Sequence, residues 1–258
     1  MADGFTGPTG HISFVGAGPG APDLLTLRAA SRLRDADLIL RDILVPDALL
    51  ASIGTRAEII EVGRRCGSSQ TQADRLEHIH DLMITAYRAG RKVVRLKSGD
   101  PLIFARAVEE TAKLIEEGIP FEFVPGVTAG LAAASLAKIP LTERGTASSV
   151  FFCTGQTAGT PNEDVESWAA LLRGGSTLVL YMGLKALARI APKLSVLVPT
   201  DQVHVSAVSG ASLPHQHVVS GTLADIEGKL AAVDLPSPVL LLIGQHAVPM
   251  DPALLLRA

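Results

Sequence analysis

Cysteine is nearly absent. Cys66 and Cys153 are the only two in 258 residues. They lie far apart, with no second Cys or His at ligand spacing, so neither a disulfide framework nor a structural zinc site is expected. Such usage fits a reducing cytoplasm. His78 and His80 do not form a ligand pair on one helical face, and His215 and His217 alternate in a loop-to-strand segment, so no metal is expected either. An excess of one charge is also missing. The net charge is -3 with both signs interspersed, which gives no field to gather nucleic acid and no Lys/Arg run for a membrane surface. Any anionic partner must be met locally. No apolar run approaches the length that crosses a bilayer, and "MADGFTGPTG" lacks the basic and apolar regions of a signal peptide. Residues 1–10 read as a short disordered leader.

What is present is an apolar chain, 47% hydrophobic and 19% charged, with enough residues for one large α/β domain or two smaller ones. Its first half alternates short β-rich runs with helical patterns: "HISFVGAG" then "LLTLRAASRLRDA", "AEIIEVG" then "ADRLEHIHDLMITAYRAG", "KVVRLKSG" then "IFARAVEETAKLIEEG". That rhythm predicts a mainly parallel sheet covered on both faces, and apolar strands such as "DLILR" agree with it. After "IPLTERGTASS" the strands continue with fewer helices between them. The expectation is an α/β chain of two domains: an N-terminal parallel-sheet domain over 11–147 and a C-terminal mixed-sheet domain over 148–258. Trp168 and Tyr87 read as helix packing.

The loop "VGAGPGAPD" places Gly16, Gly18 and Gly20 between the first strand and a helix, where missing Cβ atoms let backbone N–H groups approach a ligand. Alone it reads as a tight strand-to-helix turn with no ligand, since it lacks the glycine spacing of a dinucleotide fingerprint and Pro19 is foreign to that motif. There is no Walker lysine loop, which argues against nucleoside triphosphate chemistry. Six further motifs follow in order: "ADLILRDILV", "VGRRCG", "VVRLKSGDPLIFARAVEE", "VPGVTAGLAAASLAKIPLTERG", "LVLYMG" and "GTLADI…SPVLLLIGQ". Together they resemble the tetrapyrrole methylases over about residues 11–248, and within them the branch that methylates carbon of uroporphyrinogen III.

The resemblance implies two α/β domains with S-adenosyl-L-methionine folded into the cleft between them, a tetrapyrrole substrate and a homodimer. It carries cofactor contacts onto Pro19, Ser98, Gly99, Asp100, Ile103, Thr128, Ala129, Met182 and Ala211. Ser98 stands where relatives have glycine. Asp100 is suited to accept from a ribose hydroxyl or the amino group of the methyl donor, while a Met after a strand, as Met182 is, otherwise reads as core filler. Onto the chemistry it carries Asp42, matching a proton acceptor; Arg64, matching a proton donor that is normally lysine; and Arg106, Glu109 and Arg144. Guanidinium hardly ever deprotonates, so Arg64 suits carboxylate binding better than proton donation. Asp42 also reads as a loop-start residue. Arg106 and Glu109, three apart on a helix, share a face and can pair, whether at a substrate carboxylate or as an ordinary surface ion pair. In "VVRLKSGDPLIFARAVEE", Lys97 to Pro101 is then the turn that receives the cofactor, with Arg106, Glu109 and Glu110 on its substrate side.

The departures cluster. Relatives' "KGGDPFIFGRGGEE" is "KSGDPLIFARAVEE" here, so Ser98, Ala105, Ala107 and Val108 are expected to add side chains where the family keeps bare backbone beside its substrate. "LTHR" has become "LTER", with Glu143 adding negative charge. Three readings stay open: a uroporphyrinogen-III methyltransferase with a repacked cleft, a relative acting on a smaller or less acidic substrate, and a nonenzymatic cofactor-binding protein.

Overall fold

A computed structural model describes residues 10–63, 71–157, 160–161 and 164–250. Contacts divide the chain into two units, residues 1–128 and 129–258. The first is built from β1 (His11–Gly16), α1 (Leu27–Arg34), β2 (Leu38–Arg41), α2 (Asp47–Ile53), β3 (Glu58–Glu61), α3 (Gln72–Arg88), β4 (Lys92–Lys97), α4 (Ala107–Glu116) and β5 (Phe121–Val124). Its five strands run parallel in the order β3-β2-β4-β1-β5. All five therefore end at one edge of the sheet, the edge where α/β folds place ligands.

Alternation along the strands sorts the core into two layers. Val15, Ile39, Val94 and Leu96 pack with Leu33, Leu49 and Leu50 of α1 and α2. Phe14, Leu38, Leu40 and Val93 pack with Ile79, Met83, Ala107 and Leu114 of α3 and α4. On that second face Phe14, Phe121 and Phe123 stack with centroids 5.3 to 5.7 Å apart, each such pair adding about 1 kcal/mol beyond area burial. Helix α3 opens on a reciprocal cap, Thr71 Oγ1 accepting from Asp74 N and Asp74 Oδ2 from Thr71 N, both at 3.1 Å. That satisfies two of the orphan groups at a helix start.

The second unit holds α5 (Ala129–Leu136), β6 (Val150–Thr154), β7 (Gln156–Thr157), β8 (Thr160–Pro161), α6 (Val165–Arg173), β9 (Thr177–Tyr181), α7 (Leu184–Ser195), β10 (His204–Ser209), β11 (His217–Thr222), α8 (Ile226–Ala231) and β12 (Val239–Gly244). Its main sheet is mixed, in the order β11-β10-β12-β9-β6, with only β6 and β9 parallel. Helices α6, α7 and α8 cover one face, where Trp168 is buried, and α5 covers the other. The division at Ala129 falls earlier than the boundary drawn at Ser148. The physical reason is α5, whose small residues Ala133 and Ala134 pack on Val179, Leu240 and Leu242 of the second sheet. Cys153 is buried on β6, where burial pushes its thiol up to about 12; Cys66 lies outside the described residues. No helix among the described residues is long and apolar enough to cross a membrane.

At the start of the first sheet, Glu122 on β5 accepts from Arg32 Nε at 2.5 Å and Ser13 Oγ at 2.8 Å, and lies 2.9 Å from His11 Nε2. The Arg32 bond, helped by His11 and Ser13 and opposed by burial, lowers the Glu122 carboxyl from 4.5 to about 2. A folded value below the unfolded one means stability that is fully present above about pH 4.5 and lost as pH falls toward 2. Urea unfolding should therefore find the wild type more stable than Glu122→Gln at neutral pH, with the gap closing between pH 4.5 and 2. A gap that stays constant through that range contradicts the assignment.

Candidate functional site

Three loops leave the ends of β1, β4 and β5 and pack backbone on backbone. A Cβ on Gly16 would stand 2.6 Å from both Gly126 N and Gly99 O, and one on Gly126 would strike Gly99 O. Gly18 and Gly99 exchange two hydrogen bonds, of 3.1 and 2.8 Å, and both have φ of +69°, a region glycine enters freely. Glycine is thus required here by the close approach of the loops, whatever they bind. The loop after β4 carries the expected cofactor residues Ser98, Gly99, Asp100 and Ile103 and is bridged through Gly99 to Gly18, the neighbour of Pro19, with Thr128 buried after β5. Asp100 is committed to the scaffold: Oδ1 accepts from Leu102 N at 2.9 Å and Oδ2 from Gly126 N at 3.1 Å. Any ligand bond it makes uses a remaining lone pair.

Beneath this edge lies a feature the sequence reading missed. Strand β4 sends Val94 and Leu96 toward α1 and α2, so Arg95 and Lys97 point to the α3/α4 side together with Val93. Both cations are buried there, with side chains 0% and 2% exposed. Arg95 binds Glu110 with two donors, Nε to Oε2 at 2.7 Å and Nη2 to Oε1 at 2.9 Å. Its Nη1 donates to the carbonyls of Leu40 and Leu96, both at 3.1 Å, and its Nη2 also reaches Asp42 Oδ1 at 2.5 Å. Lys97 Nζ lies 2.8 Å from Glu110 Oε1 and 3.3 Å from Asp42 Oδ2. Arg75 on α3 stands 4.0 Å from Glu110, and His80 Nε2 meets the Glu110 carbonyl at 3.1 Å.

Glu110 was expected on the substrate side of the turn. It points inward instead, because it lies on the buried stripe Ala107, Glu110, Thr111 and Leu114 of α4. That stripe has helical spacing, and together with the alternation in β4 it is the sequence signal that would have found the cluster. Burial pushes the Asp42 carboxyl up, but Arg95 and Lys97 outweigh it and hold the group below the usual carboxylate range. Burial and Arg95 hold the Lys97 ammonium below its ordinary value, against the pull of Asp42 and Glu110. Arg41 flanks Asp42 and pairs with Asp47 and, at 3.3 Å, with Glu61.

Arg106 and Glu109 do form the expected pair, Nε and Nη2 each donating to one carboxylate oxygen at 2.9 Å, with both side chains about half exposed at 48% and 46%. Phe104 and Arg106 have φ of +53° and +57°, a left-handed conformation costing about 1 kcal/mol or more for a residue with a Cβ. Val108 is exposed and Ala105 is half-buried. Ala107, however, is 1% exposed and sits in the core with Phe14 and Leu114, so its methyl fills the interior and does not line a substrate face.

In the second unit Met182 follows β9, has φ of +53° and is 48% exposed, so it is no core filler. Ala129 opens α5, where the next residue's N–H, that of Gly130, donates to Tyr181 Oη at 2.9 Å. Ala211 is buried among Val208, Ala133 and Ala247. Arg144 is exposed in the Glu143–Ala147 turn, which is tied to the end of the sheet where β9 begins by Thr146 Oγ1 and His246 Nε2 at 2.7 Å. Met182 lies past the other end of β9, so the two are separated by the strand's length, about 13 Å at roughly 3.3 Å per residue. Arg64 lies outside the described residues.

Ala107→Gly should cost about 1 kcal/mol of stability through the lost buried methyl and leave substrate KM unchanged, whereas Val108→Gly should change KM or substrate choice with little effect on stability. Denaturant unfolding and steady-state kinetics on both variants check this; a KM change confined to Ala107→Gly would contradict the placement. Glu110→Ala leaves two buried cations without their shared carboxylate and should cost about 3 to 5 kcal/mol, read from the same unfolding measurement.

The pattern of the tetrapyrrole (corrin/porphyrin) methylases matches residues 11–227. The uroporphyrinogen-III C-methyltransferase of Synechocystis sp. is 38% identical over 240 residues, 92% of this chain and 89% of that protein. Siroheme synthase 1 of Yersinia enterocolitica is 41% identical over 236 residues, 92% of this chain but 48% of that protein. The chain spans about half the length of the siroheme synthases it matches. The uroporphyrin-III C-methyl transferase of Thermus thermophilus, solved with S-adenyl homocysteine, superposes with a TM-score of 0.75 at 36% identity, covering 91% of this chain and 97% of that one. With the ordered motifs on two α/β units and a match over most of its length, this chain belongs to the tetrapyrrole methylase family.

Proposed function

We propose that this chain is an S-adenosyl-L-methionine-dependent methyltransferase that acts on carbon of uroporphyrinogen III. The observation that carries the reading is the close-packed set of loops after β1, β4 and β5 beside the Asp42 and Arg106–Glu109 side chains, in a chain 38% identical to a uroporphyrinogen-III C-methyltransferase over nearly the whole of both. The residues present suit the methyl donor. In the first unit Pro19, Ser98, Asp100 and Ile103 are half-buried at a strand-end edge; in the second, Met182 offers an exposed polarizable side chain, and its left-handed φ is the kind of strain that functional sites retain. When bound, the donor supplies a sulfonium-activated methyl group.

What remains for the protein is alignment and charge. Uroporphyrinogen III is a wide molecule with many carboxylates, and Arg106 and Arg144 are exposed guanidiniums suited to paired hydrogen bonds with them. The span between Arg144 and Met182 within the second unit suits a substrate much larger than the transferred methyl. Around the functional turns of the first unit Ile43, Leu44, Leu102, Phe104 and Val108 are exposed apolar side chains, which exclude water from an apolar macrocycle.

A second reading is favoured by Val108 and Glu143. The first is 67% exposed beside Arg106, and the second adds a carboxylate next to Arg144; both select for a smaller or less acidic substrate. The same overall reading carries a homodimer, closed pairs being the commonest assembly, working in the cytoplasm on a small molecule rather than on nucleic acid or a membrane. Light scattering at micromolar protein is expected to give the dimer mass.

Anaerobic incubation with uroporphyrinogen III and labelled S-adenosyl-L-methionine should give a product carrying added methyl groups, and calorimetry should show S-adenosyl-L-homocysteine binding. Arg106→Lys and Arg144→Lys should each lower kcat/KM about thirtyfold while cofactor affinity stays. Cofactor binding without turnover of uroporphyrinogen III leaves the second reading standing; no cofactor binding by folded protein ends both.

A further inference from the structure

We propose that Arg95 and Lys97, braced from behind by Glu110, are positioning residues that grip both oxygens of Asp42, so that Asp42 serves as a fixed anion facing the reacting molecule and the departing proton goes to a base outside this cluster. The inference rests on the methyl-transfer reading and deepens it. Asp42 is the member of the quartet that reaches solvent, its side chain 21% exposed against 0% for Arg95 and 2% for Lys97 and Glu110. It is therefore the one through which the buried charges act outward. One oxygen receives Arg95 Nη2 and the other faces Lys97 Nζ. The guanidinium cannot swing away, because its remaining donors are held by Glu110 and by the carbonyls of Leu40 and Leu96.

The groups packed around Asp42 carry both signs, but those that touch its carboxylate are the two cations of β4. Strand β4 contributes Arg95 and Lys97, and α4 contributes Glu110. Helix α3 contributes Arg75, 4.0 Å from Glu110, and His80 at the Glu110 carbonyl. Next to it in the chain, Arg41 at the end of β2 is paired with Asp47 of α2 and Glu61 of β3. Within the buried part of the cluster Arg95 and Lys97 share Glu110, so Asp42 is the second carboxylate that these two cations need.

In the reaction a pyrrole carbon uses a ring electron pair to form the new carbon–carbon bond, while the sulfur–methyl bond breaks and sulfur keeps its pair. The ring is left with a positive charge shared with its nitrogen until a proton is lost. A carboxylate fixed in advance stabilises that charge without reorganising. A carboxylate gripped by two cations is a poor proton acceptor near neutral pH, where a general base works best with a matched affinity. The lowered Asp42 value points the same way.

The test pairs a direct titration with kinetics. Carbon-13 carboxyl NMR, with the Asp42 signal assigned by its loss in Asp42→Asn, is followed against pH in the wild type, Lys97→Met and Lys97→Arg. The kcat for methyl transfer to uroporphyrinogen III is profiled over the same range. The expected result is an Asp42 that stays ionised below the ordinary aspartate range, a midpoint raised by about one pH unit or more in Lys97→Met, and recovery in Lys97→Arg. The kcat of Asp42→Asn should fall about 100-fold at every pH, with a profile parallel to the wild type. An Asp42 that titrates together with an acid limb of kcat near neutral pH, a limb that vanishes in Asp42→Asn, makes it the proton acceptor and overturns the proposal. Unchanged titration and profile in Lys97→Met overturn it too, leaving the lysine a purely structural part. Should Lys97→Met fail to fold, the wild type and Lys97→Arg still decide. Lack of turnover on uroporphyrinogen III would refute that substrate assignment, while the carboxyl titration, which needs no substrate, would still show whether Asp42 is gripped.

Discussion

Burying the Arg95 guanidinium at the end of β4 obliges much of the first unit to answer it. A lone buried cation of this kind would cost several kcal/mol, and the fold answers with carbonyls from β2 and β4, a carboxylate from α4 and another from the turn after β2. Satisfying those bonds fixes the register between β2 and β4, the rotation of α4 about its axis and the height of the Asp42 turn above the sheet. Lys97 then shares Glu110 and sits one residue before the loop that interlocks with Gly18. A single electrostatic requirement in the interior thus sets the positions of the turns at the edge where the parallel strands end.

The rhythm of strands and helices made the architecture of the first unit readable, because strands buried on both faces carry the near-continuous apolar runs that parallel sheets demand. The change to a mixed sheet was readable from the loss of intervening helices. Where the second unit begins was not, since α5 is an alanine-rich helix whose sequence does not say which sheet its small residues will pack against. The placement of Gly99, Asp100 and Met182 just past strand ends was legible through motif order, and the Arg106–Glu109 pair through helical spacing.

The buried cluster was missed for a physical reason. Lys, Arg and Glu read as surface or substrate groups by composition, and only the superposition of a period-two strand on a helical stripe shows that Arg95, Lys97 and Glu110 meet indoors. Ala107 was misread in the opposite sense: a small residue in a glycine-like segment looked like cleft wall, but it is the first turn of the α4 core face. The fit of Asp100 to a ligand likewise looks different once two backbone N–H groups already occupy its oxygens.

The left-handed backbone at Phe104, Arg106 and Met182 sets local foldability against chemistry. At each of these positions glycine would relieve the strain and asparagine would soften it, so a library screened for thermal resistance alone should drift toward those residues. Variants enriched in that way would be sturdier proteins without the guanidinium and the thioether. Retention of the strained side chains under a stability screen would have to be enforced by selecting for turnover at the same time.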